Sequence, residues 1–279
     1  MQKALRLSEV RMNLGLFAAL GLMVFAMSPI AAGAQAAVPA TPAPEAKPAV
    51  TPQEITALER YKEHTEIMLK DWPNLKRFFT DDVALSAPAA GEHRIVFMGD
   101  SITEGWVRHG VPADPPDTAK AYVNRGISGQ TTPQMLLRFR QDVIDLKPSV
   151  VVIFAGTNDI AGNTGDMTPE QTEENLQTMA ELAQLHEIKV VMCSILPAYD
   201  FPWKPGREPA PKIIALNKWI RDYAASHGAV YVDFYSAMVD ARGGLPEKLS
   251  KDGVHPNPAG YVIMTPLVEA GIAQALGTK

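Results

Sequence analysis

A chain of 279 residues, 46% hydrophobic and 20% charged, has the composition of a globular protein and is long enough to bury a sizeable core. Its formal net charge of −5 supplies no broad basic surface and so excludes a nucleic-acid partner held by charge. Its single cysteine, Cys193, excludes an intramolecular disulfide; placed within the apolar run from Val190 to Ile195, it reads as a buried thiol rather than a nucleophile.

In chain order, Lys3, Arg6 and Arg11 precede an uncharged apolar stretch from Leu14 to Met27, and Ala34-Gln35-Ala36 follows as a small-residue cleavage pattern. That stretch of 14 residues is shorter than the about 20 needed to span a bilayer. The pattern predicts a signal peptide over residues 1–36, cut near Ala36, with an uncleaved anchor as the alternative. Cleavage would remove three cations and one carboxylate and take the net charge to −7. No cysteine near the cut invites lipid attachment. The expectation is an exported chain, periplasmic or extracellular, with no integral membrane segment once mature.

Residues 37–50, rich in Ala and Pro, read as a flexible linker. Thr51-Pro52-Gln53-Glu54 then has the features of a helix start: a Thr cap, Pro at the first helical position and Glu three residues after the cap. Ile55, Leu58, Tyr61 and Met68 put an apolar stripe on this helix. It predicts a helical extension over residues 51–90, packed on the outside of a main domain over residues 91–279.

From Arg94 onward, short apolar runs alternate with amphipathic stretches. Strands are predicted at Arg94–Met98, Tyr122–Ile127, Val150–Phe154, Lys189–Ile195 and Ala229–Phe234. Helices are predicted near Pro133–Leu146, Pro169–His186, Pro211–His227 and Pro258–Ala275, with Thr168-Pro169-Glu170-Gln171 repeating the capping pattern. Strands without strict polar alternation, each followed by a helix, predict a parallel sheet covered on both faces. The fold class is therefore a three-layer α/β/α sandwich with a five-stranded parallel sheet, plus the N-terminal helix. Ligands of such sheets bind at the carboxyl ends of the strands. Three polar turns fall there: Gly99-Asp100-Ser101, Ser128-Gly129-Gln130 and Gly156-Thr157-Asn158-Asp159.

Each turn offers chemistry, and each has a plainer reading. Ser101 lies where a strand must turn sharply into a helix; a serine there is more often a cap than a nucleophile, because its hydroxyl needs an adjacent base. Of the six histidines, His64 lies on the N-terminal helix, His186 and His227 at helix ends, His93 before the first strand and His109 in the loop after Ser101. His255 differs, because it sits in the loop Lys251-Asp252-Gly253-Val254-His255-Pro256-Asn257-Pro258. Gly253 there permits a turn that brings the Asp252 carboxylate back to the imidazole, where it would fix the tautomer. Taken alone, this pair would serve equally well to hold a turn. Backbone N–H groups at Ser101 and Gly129 and the Asn158 amide offer donors for a developing oxyanion, although each residue singly also suits a turn.

Taken together, Gly99-Asp100-Ser101-Ile102, the Gly129 of Gly126-Ile127-Ser128-Gly129, the Asn158 of Gly156-Thr157-Asn158-Asp159, and Asp252-Gly253-Val254-His255 resemble the SGNH (GDSL-like) hydrolase superfamily, in order, from about Arg94 to the C-terminus. The resemblance implies a flavodoxin-like sandwich, with Ser101 as nucleophile, His255 as base and Asp252 as orienting acid. It further implies an oxyanion hole made by Ser101, Gly129 and Asn158, with no metal and no organic cofactor. Asp100 reads as a structural hydrogen-bonding residue.

Trp106 and His109 after the nucleophile turn, and Tyr199, Phe201 and Trp203 after the fourth strand, are candidate walls of a substrate pocket, with loop packing as the plainer alternative. The pattern looks most like secreted bacterial members near platelet-activating-factor acetylhydrolases and carbohydrate esterases. That implies a serine esterase for short acyl groups, acetyl above all, on a sugar or small alcohol. A lysophospholipase or thioesterase with a longer acyl pocket is the enzymatic alternative, and a non-catalytic carbohydrate-binding protein is the alternative of another class. The implied partner is a small-molecule or glycan ester; the sequence does not reveal the oligomeric state.

Overall fold

In the computed structural model, which describes residues 52–106 and 120–278, five parallel strands form one sheet. They are β1 (His93–Gly99), β2 (Lys120–Gly126), β3 (Val150–Phe154), β4 (Lys189–Cys193) and β5 (Val230–Val232), in the order β2-β1-β3-β4-β5. The chain starts in the middle of the sheet, winds outward to β2, then crosses back over β1 to β3. This is the doubly wound, flavodoxin-like order, whose switch point lies between β1 and β3.

Side-chain alternation divides the core into two layers. Val96, Met98, Val151, Ile153, Val190 and Met192 face one side, where Met135 and Phe139 of α4 (Thr132–Asp142), Leu176 and Met179 of α6 (Pro169–Leu185) and Ile213 and Ile220 of α7 (Pro209–Ser226) cover them. Ile95, Phe97, Val152, Phe154, Val191 and Val232 face the other. There they meet Met264, Val268 and Ile272 of α9 (Pro258–Leu276) and Phe234 of the short α8 (Phe234–Met238). Each side chain buried in these layers contributes about 1.5–3 kcal/mol. Cys193 lies in the second layer, where burial pushes its thiol pKa far up, so it is no nucleophile. Helix α9 is, among the described residues, the one with the length and hydropathy of a membrane span. It packs so closely on the sheet that a Cβ on Gly271 would lie 2.4 Å from Val232 Cγ2.

The predicted elements are present with shifted ends. The last strand stops at Val232 because Asp233 caps α8, its side chain accepting from Ser236 N. Thr168 caps α6 as its sequence pattern requires, with Gln171 N donating to its hydroxyl over 3.3 Å. Four short helices have no bounds in the sequence pattern, although the turn at Ser101 and the helical extension call for two of them: α8, α2 (Phe79–Ala84), α3 (Ser101–Trp106) and α5 (Thr157–Ala161). None reaches two turns, which is too short to show a 3.6-residue period.

The N-terminal helix, α1 (Pro52–Lys70), differs from expectation. Of the predicted stripe, Ile55, Leu58 and Tyr61 stay exposed, while Met68 near the end of the helix is half-buried and its Sδ accepts from Gln134 Nε2 at 3.5 Å. The extension is instead tied down just past the helix, where Gln134 Nε2 donates to Trp72 O (2.7 Å), Gln130 Nε2 to Pro73 O (2.8 Å) and Gln141 Nε2 to Leu75 O (2.7 Å). The predicted signal peptide and linker lie outside the described residues.

Candidate active site

The carboxyl end of β1 dictates the site's first turn. A Cβ on Gly99 would fall 2.0 Å from Thr103 Oγ1 and 2.7 Å from Phe154 O, so only glycine lets β1 run directly into α3. Asp100 closes the turn: its Oδ1 accepts from Ile102 N (2.9 Å) and its carbonyl from Glu104 N (2.9 Å). Complete burial pushes the Asp100 carboxyl up to about 6 against the pull of the Ile102 N–H, as suits a structural acceptor. Ser101 is then the first residue of α3, with its hydroxyl at the sheet edge.

The second part arrives from the other end of the sequence. Residues 249–257 form a loop pinched at its base, where Asn257 N donates to Leu249 O (2.8 Å) before Asn257 caps α9. Gly253 takes φ +79 at its tip, and the Asp252 carboxylate folds back onto the following residues. Its Oδ1 accepts from Ser250 Oγ (3.0 Å), Val254 N (3.0 Å) and His255 N (2.8 Å), and its Oδ2 meets His255 Nδ1 at 2.7 Å. Partial burial raises the pKa of this carboxyl, but the His255 N–H, the imidazole and the Val254 N–H outweigh it and hold the group down at about 2. An ionised carboxylate only accepts, so His255 Nδ1 carries the proton and Nε2 presents its lone pair. That lone pair faces Ser101 Oγ at 2.9 Å, across 154 positions of sequence.

Possible oxyanion donors converge on the same edge. Among the described residues, neither the Ser101 N–H nor the Gly129 N–H has an acceptor. Gly129 holds φ +78, and Glu104 pins its turn to α3 by accepting from Ser128 N (3.2 Å) and Ser128 Oγ. Asn158 is buried near the start of α5 with its amide toward the site. Its Nδ2 donates to Gln130 O (3.0 Å) and, over a longer 3.2 Å, to Asp100 Oδ2.

The candidate pocket walls separate. Trp106 is fully buried in the second core layer, edge-on to Phe97 and Phe234, with Nε1 donating to Thr265 Oγ1 (3.2 Å). Phe201 is fully buried in the other layer. Both rings are fully buried, an aromatic side chain with core to fill having gone inward in each case. Trp203, two residues beyond Phe201, is 39% exposed, and its ring lies 5.9 Å from the His255 ring. Tyr199 is 65% exposed beside Arg242 and shares a cavity of about 250 Å³ with Asp252 and Gly253, on the Asp252 side of the site. His109 lies outside the described residues.

Sequence reasoning passed over several supports. Ser250 donates to Asp252 and accepts from Gly253 N (2.9 Å). Buried Arg138 reaches Asp142 (2.8 Å), Gln130 Oε1 (2.6 Å) and Gly99 O (3.1 Å), fastening α4 to the end of β1 and to the Gly129 turn. Asp159 accepts from Thr132 N and Thr132 Oγ1, and its burial pushes it up to about 6. No motif marks Ser250 or Arg138, and Asp159 finds its partner 27 positions away.

Residues 97–263 match the model of the GDSL-like Lipase/Acylhydrolase family. The chain is 31% identical over 188 residues to Esterase TesA of Pseudomonas aeruginosa, covering 62% of this chain and 84% of that one. It is 28% identical over 199 residues to an acetylxylan esterase of Geobacillus stearothermophilus, covering 61% and 90%. Among solved structures, a GDSL-like lipase of Bacteroides thetaiotaomicron superposes with a TM-score of 0.69 at 47% identity, covering 74% of this chain and 100% of that one.

Proposed function

The chain belongs to the GDSL-like lipase/acylhydrolase family and is a carboxylic ester hydrolase, and on that footing we propose that it works through an acyl-enzyme on Ser101. One observation carries the reading: Asp252, His255 and Ser101 form a continuous hydrogen-bonded run of 2.7 and 2.9 Å, and the N–H groups of Ser101 and Gly129 have no acceptor among the described residues. His255 Nε2 takes the Ser101 proton as Oγ attacks the ester carbonyl, and Asp252 stabilises the imidazolium that forms. The carbonyl oxygen, now anionic, accepts hydrogen bonds from Ser101 N–H, Gly129 N–H and Asn158 Nδ2–H. We assign to it the Asn158 hydrogen whose present bond, to Asp100, is the longer of the two. The tetrahedral intermediate collapses, the imidazolium protonates the leaving alcohol, and water then attacks the acyl-serine with His255 again as base.

The favoured substrate is a short acyl ester, acetyl above all, of a sugar or small alcohol. The acetylxylan esterase relative, matched over nine-tenths of its length, supports this, as does the half-exposed Trp203 face beside His255, which suits a sugar ring. A lysophospholipase or thioesterase with a longer acyl pocket is the competing reading, and the likeness to Esterase TesA does not choose between the two. We further propose export, with residues 1–36 removed, 37–50 as a tether, 51–90 as a helical extension and 91–279 as the hydrolase proper; N-terminal sequencing of the secreted protein tests the cut near Ala36.

A scan of p-nitrophenyl esters from acetyl to palmitoyl, run beside acetylated xylo-oligosaccharides, tests the substrate. Activity should peak at acetyl or the next few chain lengths; a peak beyond octanoyl overturns the short-acyl reading. Ser101→Ala should lower kcat by on the order of a thousandfold or more without unfolding the protein. Inactivity of the folded wild-type chain on every ester would favour the binding-protein reading.

A further inference from the structure

The Asn158 amide has two chemically different ends, and only one is useful to an anion. Whatever fixes its flip therefore decides whether the site offers a donor or an acceptor. Its Oδ1 accepts from Asn163 Nδ2 at 2.8 Å. That same Nδ2 donates to Gly129 O at 3.2 Å, which spends both of its hydrogens. Asn163 Oδ1 in turn accepts from Trp203 Nε1 at 3.0 Å. An indole N–H can only donate and a backbone carbonyl can only accept, so Asn163 has one permissible flip: oxygen to Trp203, nitrogen to Asn158 and Gly129. With Asn163 so fixed, Asn158 must turn its oxygen away from the site and its nitrogen toward it.

The backbone shows why Asn163 sits there. Gly162 and Gly165 take φ +71 and +110, left-handed backbone that favours glycine, and Asn163 N donates to Asn158 O at 3.0 Å. Thr164 Oγ1 holds the other side, 3.0 Å from Thr131 Oγ1. One side chain thus touches both the Asn158 amide and the Gly129 turn, and is anchored by the ring that overlooks His255.

We propose that Asn163, anchored by the Trp203 indole N–H, is a positioning residue that sets the Asn158 amide and the Gly129 turn as a joint oxyanion hole. This rests on reading Asn158 and Gly129 as oxyanion donors. Asp100 and Gln130 also orient Asn158 in the resting state. When one Asn158 hydrogen turns from Asp100 to the oxyanion, that tie is given up, and the bond from Asn163 keeps the amide in plane. The loss on deleting Asn163 therefore falls on kcat rather than on KM.

A double-mutant cycle on p-nitrophenyl acetate hydrolysis tests this, with thermal melting as the check on folding. Asn158→Ala should lower kcat by about 100- to 1,000-fold, the usual effect of removing one oxyanion donor. Asn163→Ala should lower kcat by about 10-fold with KM within about 2-fold, and in the Asn158→Ala background by less than about 3-fold, because two residues acting as one do not add. Trp203→Phe, which keeps a ring and deletes only the N–H, should lower kcat by several-fold, and it carries the test if Asn163→Ala fails to fold. An unchanged kcat for Asn163→Ala or Trp203→Phe, or full additivity with Asn158→Ala, overturns the proposal while leaving the oxyanion hole standing. An unchanged kcat for Asn158→Ala overturns the oxyanion reading itself.

Discussion

Replacing Asp252 by its isostere Asn tests the triad more sharply than removing it. The carboxylate now accepts at four places: Ser250 Oγ, Val254 N and His255 N on Oδ1, and His255 Nδ1 on Oδ2. An amide can satisfy only one of these two sets. If its oxygen keeps the backbone donors, its NH₂ faces Nδ1, which must become an acceptor; the imidazole proton moves to Nε2 and points at Ser101 Oγ, where a lone pair is needed. If the amide flips, two backbone N–H groups face a donor, at about 1–3 kcal/mol for each hydrogen bond left unmade. The first arrangement therefore wins and traps the wrong tautomer. Asp252→Asn should lower kcat by about 10³- to 10⁴-fold, or about 4–5.5 kcal/mol of barrier, with KM nearly unchanged. Asp252→Ala removes more atoms but leaves Nδ1 to water and both tautomers open, so it should be no worse than Asn. Initial rates on p-nitrophenyl acetate from pH 6 to 10 check both variants. A kcat for Asp252→Asn above one-tenth of wild type, or an Ala variant far worse than Asn, would refute the argument.

Two predictions concern stability. Asp159 is buried and raised from 3.8 to about 6, so the folded chain binds more protons than the unfolded one between those values. Stability from this group is therefore fully present below about pH 4 and lost as pH rises through about 6, and at 1.4 kcal/mol per unit the loss is about 3 kcal/mol. Asp159→Asn should flatten that fall in denaturant midpoints between pH 4.5 and 7.5, leaving the similar slope due to Asp100; an unaltered profile counts against the raised carboxyl. Trp106→Ala should cost about 3–5 kcal/mol in urea unfolding while leaving the acyl-chain preference unchanged, because the ring fills core and meets no substrate; a shifted preference would return it to the pocket wall.

What the sequence made legible was whatever is local or repeated. The sheet followed from apolar runs alternating with capped helices, and three of the candidate site's turns from strand ends that a parallel sheet places on one edge; the Asp252–His255 loop follows no strand of the sheet and was marked by its resemblance to a known family. Direction was harder to read. Phe201 and Trp203 stand two residues apart in one proline-rich loop, yet one is buried and the other overlooks His255, because an irregular loop has no period from which inside and outside can be inferred. Trp106 ends a helix of six residues, too short to show which face is apolar.

The supports were illegible for a different reason. Ser250, Arg138 and Asn163 carry no motif, and most of what they hold lies elsewhere in the sequence: Arg138 reaches Gly99 across 39 positions and Asn163 reaches Gly129 across 34. Ser250 sits only two residues from Asp252, but Ser beside Asp is so common in turns that proximity carries no signal. Ser101, His255 and Asn158 supply reactive types that chemistry names in advance. Orientation is the part that remains, and here it is set by donors and acceptors with no freedom to swap: an indole N–H at Trp203, a carboxylate at Asp252, and backbone carbonyls at Gly129 and Gln130. Groups of fixed polarity at the rim decide the flip of every ambiguous amide and imidazole between them. On the proposed mechanism, the polarity of this edge is thus a property of the loops that surround the candidate residues as much as of those residues themselves.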